Sequence, residues 1–151
     1  VVVDQVELEA VEEVRLRWHT AATPDVSTDG CFSVTSKGVV LSGKVTATGA
    51  RPSCSLGRHE YHSPLDRDRI GNLLPQRREP YLDCLVRERK VCLLSLFAVE
   101  LDGAGQSHWL AIADGDAQIW RHENDRAGVE VRVESREISV AGAAGSWSLS
   151  L

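Results

Sequence analysis

Val91-Cys92-Leu93-Leu94-Ser95-Leu96-Phe97-Ala98-Val99-Glu100-Leu101 is apolar on both faces of an extended chain, with Val91, Leu93, Phe97, Val99 and Leu101 on one side and Cys92, Leu94, Leu96 and Ala98 on the other. A strand with one wet face alternates polar and apolar residues. A run that does not alternate needs cover above and below, which makes this the central strand. It is followed by Asp102-Gly103-Ala104-Gly105-Gln106, whose glycines can take positive φ, and by a second apolar run, Ser107-His108-Trp109-Leu110-Ala111-Ile112-Ala113. The predicted pairing is a hairpin between the two runs, Val99 facing Trp109 and Leu96 facing Ile112. Asp114-Gly115 then supplies the strongest hairpin signal in the chain, because a type I′ turn needs positive φ at both central positions. Pairing outward from it sets Ile112 opposite Ala117, Leu110 opposite Ile119 and Trp109 opposite Trp120.

The flanking sequence repeats the strand rhythm. From Gln5 to His19 the even positions are apolar except Glu12 and the odd ones polar except Val11, which reads as a strand with a bulge near Val11-Glu12, or two strands; a helical face through Val3, Val6, Ala10, Val14 and Trp18 is the competing reading. After a loop at 21–30, Phe32 and Val34 alternate with polar residues, Ser36-Lys37-Gly38 turns the chain, and 39–48 returns. Further on, Val129 to Val133 is predicted to pair with Ile138 and Val140, Val133 facing Ile138 and Val131 facing Val140, and 146–151 alternates after the Gly142-Ala143-Ala144-Gly145 break. Pro80 to Lys90 reads as a short helix, with Pro at its first position and Arg87, Arg89 and Lys90 in its last turn. The fold class is therefore all-β, an antiparallel sandwich or barrel of about eight or nine strands in one domain over 1–151, with one short helix if Pro80 to Lys90 is helical.

One segment breaks the rhythm. Residues 49–79 carry Pro52, Pro64 and Pro75 with Gly57 and Gly71 and no sustained period, and an irregular stretch of that length inside a compact domain is usually functional or disordered. Across 50–90 there are nine Lys or Arg against six Asp or Glu, in a chain whose formal charge is −5. Charge is segregated along the sequence, and the overall acidity disfavours a general polyanion binder.

The candidate residues follow from that segment. Arg51, Arg58, Arg67, Arg69, Arg77 and Arg78 could hold an oxyanion or an acidic partner surface, since guanidinium binds carboxylate and phosphate bidentately; Asp66-Arg67-Asp68-Arg69 could instead neutralise itself. Cys54, His59 and His62 are zinc-type ligands in an unfamiliar spacing, with Cys31 or Glu60 available as a fourth. Cys31, Cys54, Cys84 and Cys92 are an even set that suits disulfides in an oxidising compartment or four free thiols; Cys84 and Cys92 would bridge if they flanked a hairpin at Arg87-Glu88-Arg89. The chain contains no Met, compatible with a processed, secreted form or with trimming.

No nucleophile elbow, zincin helix, phosphate loop or nucleic-acid motif occurs, and His19, His59, His62, His108 and His122 show no catalytic spacing. Asp114-Gly115-Asp116 resembles part of a calcium loop, but the remaining ligand positions are missing. No run of about 18 apolar residues exists to span a membrane as a helix. The expectation is a binding module without a cofactor that recognises a protein partner through the arginine-bearing 49–79 segment, with nucleic acid disfavoured and self-association possible. Two alternatives stand beside it: a small enzyme or ligand carrier with Trp18, Trp109, Trp120 or Trp147 lining a pocket between sheets, and an assembly subunit.

Overall fold

The computed structural model describes residues 1–27, 29–60, 67–74, 78–101, 108–114, 117–123, 128–134 and 137–150. Among them are eleven strands and no helix: β1 (Val2–His19), β2 (Asp25–Val26), β3 (Cys31–Ser36), β4 (Val39–Ala47), β5 (Ser53–Glu60), β6 (Arg78–Leu101), β7 (His108–Asp114), β8 (Ala117–Glu123), β9 (Val129–Val133), β10 (Glu137–Gly142) and β11 (Gly145–Ser150). The first sheet runs β1-β6-β4-β3-β2, with β5 also paired to β6; the second runs β11-β10-β9-β8-β7, and every pairing is antiparallel. The all-β antiparallel expectation holds, as two sheets packed face to face. No helix among the described residues is long and apolar enough to cross a membrane.

The central strand is covered on both sides over residues 91–96, as its sequence demands, but not at its end, where Val99 and Leu101 are exposed. Cys92, Leu94 and Leu96 pack against Trp109, Val131, Val133, Ile138 and Val140 of the second sheet. The opposite face meets a different layer, because the β1–β6 pair bends back over its own sheet. Its register breaks once, where residues 8–11 of β1 stand opposite Arg89 alone, and a bulge of this kind bends a strand pair. Beyond it, Leu82, Cys84 and Leu16 cover Phe32, Val34 and Val45, and Val86 meets Val91, Leu93 and Ala47. Leu82, Leu93, Leu94 and Leu96 are among the largest fully buried side chains, each contributing about 1.5–3 kcal/mol by leaving water.

Four expectations are corrected. Residues 80–90 are strand, not helix: Leu82, Cys84 and Val86 are buried while Tyr81, Asp83 and Leu85 are half-buried, and the basic residues that resembled a helix end lie at the bulge. β6 does not form a hairpin with the next run. β4 takes the edge of residues 93–101, and the following run crosses to the second sheet and supplies the cover itself. The β7–β8 hairpin exists, but its last pair is Asp114 with Ala117, so Trp109 faces His122 and Ala111 faces Trp120. That register and the one expected differ by two residues and leave every side chain on the same face, so apolar patterning cannot choose between them. Finally, Cys84 and Cys92 lie on one strand, roughly 26 Å apart along its rise, and cannot bridge.

Two further pairings agree with the sequence. β3 and β4 form the hairpin expected around residues 36–38, with positive φ at Lys37 and Gly38, and β9 pairs β10 in the register expected.

Candidate functional site

The 49–79 segment is only partly irregular. Ser53–Glu60 is β5, paired residue for residue with β6, because Cys54 finds an apolar site against Cys84 while Arg58 and His59 stay in water. Gly57 marks the closest approach: a Cβ there would come within 2.2 Å of the Tyr81 ring, which lies flat on the glycine. Around that ring, on the outer face, the Arg17 guanidinium sits 4.0 Å above Tyr81 and His19 packs near both Tyr81 and His59, with ring centroids 5.6 and 5.7 Å apart. Arg17 and Arg15 each reach Asp83 at 3.2 Å.

Farther along, residues 67–74 form a small closed turn centred on the Asp68 side chain. Asp68 Oδ1 accepts from the backbone N–H groups of Ile70 (3.0 Å) and Asn72 (2.8 Å), and Oδ2 accepts from Asn72 Nδ2 at 3.0 Å. The Asp68 N–H donates to Asn72 O at 2.9 Å, the Gly71 N–H donates to Asp68 O at 3.1 Å, and Arg67 Nη1 donates to Gly71 O at 2.7 Å. Gly71 carries φ +89°, the left-handed backbone that favours glycine. The hydrogen bonds from Asn72 hold the Asp68 carboxyl below its ordinary range. What this brace displays is apolar: Ile70 is 85% exposed, Leu73 71% and Leu74 47%, with Arg69 also exposed.

The described arginines are spread over three stretches of the chain. Arg51 follows β4, Arg58 sits on β5, and Arg67 and Arg69 are on the braced turn, Arg67 bonded to Gly71 O; Arg77 and the side chain of Arg78 lie outside the described residues. Of the zinc-type set, Cys54 and His59 are not brought together. Five residues apart on a regular strand, Cys54 points inward and His59 outward, while His62 lies outside the described residues. All four cysteines are free thiols. Cys54 and Cys84 are register partners with their thiols hydrogen-bonded, which pulls Cys54 down and pushes the buried Cys84 up.

A second group, between the layers, had no sequence signal beyond strand parity. Ser42, Lys44 and Thr46 of β4 face the second sheet and are buried, Lys44 to 3% exposure. The Lys44 ammonium donates to the carbonyl of Asp29, reaches Asp29 Oδ2 at 3.1 Å and lies 4.7 Å from the centroid of Trp120. Burial pushes the Asp29 carboxyl up, but hydrogen bonds from Ser27, Cys31 and Lys44 together outweigh it and hold the group well below the carboxylate range. Burial also pushes the Cys31 thiol up to about 11, which removes it as a nucleophile at neutral pH. Nearby, His122 Nε2 lies 3.9 Å from Glu100 Oε1, and its ring is 5.1 Å from that of Trp109. No group of three metal-type ligands converges among the described residues. Compared with protein-family models, curated proteins and solved structures, the chain has no match, and its site is read from its own geometry.

Proposed function

We propose that this chain is a non-enzymatic interaction module that recognises a protein partner through the 49–79 segment, with residues 67–74 as the contacting tip. One observation carries the reading: the tip exposes Ile70, Leu73 and Leu74 while its backbone is fixed by the Asp68 carboxylate. Apolar side chains on a loose loop would pay an ordering cost on binding; a tip already closed avoids most of it. Arg69 beside the anchor, with Arg58 on β5, favours a partner whose apolar recess is rimmed by carboxylates.

The test places a photo-crosslinking amino acid at Ile70 and, as a control, at the exposed Val11 of β1. A discrete adduct from position 70 alone, lost with Arg69→Glu and displaced by unlabelled chain, is the expected result. The same adduct from both positions, or none from position 70, would overturn the proposal.

A second reading, a ligand carrier with its site between the layers, is favoured by one observation: the indole N–H groups of Trp109 and Trp120 are buried with no hydrogen-bond partner among the described residues. A small molecule seated there would change tryptophan emission and leave crosslinking from position 70 untouched.

A further inference from the structure

We infer that β11 is a self-association edge: two copies of this chain pair antiparallel through Gly145–Ser150 about a two-fold axis at Ser148. This goes beyond the tip, which lies in a separate part of the sequence and plays no role in it.

Half the backbone groups of β11 face away from β10. Glu134 N–H donates to Glu137 O at 2.8 Å, and Glu134 and Glu137 continue the β9–β10 register by one pair. In an antiparallel ladder, hydrogen-bonded pairs alternate with non-bonded ones, so Glu137, Ser139 and Ala141 bond to β9 and Ile138, Val140 and Gly142 bond to β11. Their β11 partners are Leu149, Trp147 and Gly145. The N–H and C=O groups of Ser146, Ser148 and Ser150 therefore point away from β10, to the outer edge of the second sheet.

The side chains of that edge are as unprotected as its backbone. Trp147 and Leu149 oppose Val140 and Ile138 and so share their inward face, yet they are 48% and 43% exposed where Val140 and Ile138 are buried. The apolar face runs one strand past its cover. Protected edges carry charge, Pro, a bulge or little length. β1 has Asp4, Glu7, Glu9, Glu12, Glu13, Arg15 and Arg17 and a bulge, and β2 has two residues. β11 is six residues long, without charge, Pro or break in register.

A second copy fits this edge in a self-complementary way. With Ser148 opposite its own symmetry mate, Ser146 pairs with the mate's Ser150, so all three outward-facing residues fall on hydrogen-bonded positions. Trp147 then opposes the mate's Leu149 at a non-bonded position, where side chains approach most closely. The neutral strand also matters for charge: the chain carries −5, and two copies meet most easily where neither contributes to it.

The experiment is sedimentation velocity of the full chain over a concentration series, with two variants and one cross-link. Wild type is expected to pass from monomer to dimer mass below about 1 mM. Ser148→Pro removes one outward N–H from an edge position that tolerates Pro, and Ser148→Lys sets like charges opposite each other at the axis; each should weaken the dimer at least about tenfold with the melting temperature kept. Under mild oxidation Ser148→Cys should form a covalent dimer, and Ser146→Cys should not, because only position 148 meets itself. A wild type that stays monomeric over the series, variants that dimerise equally well, or equal cross-linking at 146 and 148 would overturn the inference.

Discussion

Residues 42–47 of β4 and residues 67–74 invert the usual partition of side chains. In the strand, Ser42, Lys44 and Thr46 are buried; in the turn, Ile70, Leu73 and Leu74 are in water. The polar residues are tolerable inside because partners meet them, Asp29 and the Trp120 ring for Lys44 and Gln118 for Thr46. The apolar residues outside have no such compensation among the described residues. A strand in the middle layer has no choice of exposure, whereas a turn at the rim does, so the exposed Ile70 calls for an explanation that the buried Lys44 does not.

Substitutions sharpen that contrast in order of cost. Leu94→Ala, in the covered centre, should lose about 2–5 kcal/mol in denaturant titration, because a filled core leaves a cavity. Next is Asp29→Asn. Removing a carboxylate from a fully buried pair costs roughly 3–5 kcal/mol, but the Asp29 side chain is 53% exposed and Lys44 keeps the Asp29 carbonyl, so about 1–2 kcal/mol is expected. Its pH dependence has a definite sign. The folded-state pKa lies below the unfolded one, so the contribution is full above the ordinary carboxylate range and is lost as pH falls through the folded value; Asp29→Asn should flatten the acid limb of the stability curve. The smallest effect on stability belongs to the turn: Ile70→Ser should stay within about 0.5 kcal/mol of wild type while abolishing the crosslink from its neighbours.

Much of the framework was legible because period-2 patterning leaves little freedom once a face must be buried. The two-sided burial of residues 91–96, the bulge near Val11-Glu12 and the β9–β10 register all follow from parity alone. What parity does not supply is which sheet a strand joins: the sequence pairs 107–113 with the central strand, whereas His108–Asp114 belongs to the second sheet. Basic residues at 87–90 mimicked a helix end because a bulge, like a helix terminus, sets charges in water. At the proposed site, the arginine count marks the segment but not the residues that shape it. The informative residues are Asp68, whose Asx-type bonds close the turn, and Gly57, whose missing side chain admits Tyr81. The Lys44–Asp29 contact joins residues on different elements and has no local signature.

The claim on which the functional reading depends is that the 67–74 turn is fixed in one conformation though it stands in water. Amide hydrogen exchange tests this at two named positions, the Ile70 and Asn72 N–H groups bonded to Asp68 Oδ1. Measurable protection at both, lost in Asp68→Ala and reduced when acid protonates the carboxylate while the Leu94 amide stays protected, is the expected result. Exchange at unstructured rates in the wild type, or protection that survives Asp68→Ala, would contradict the account.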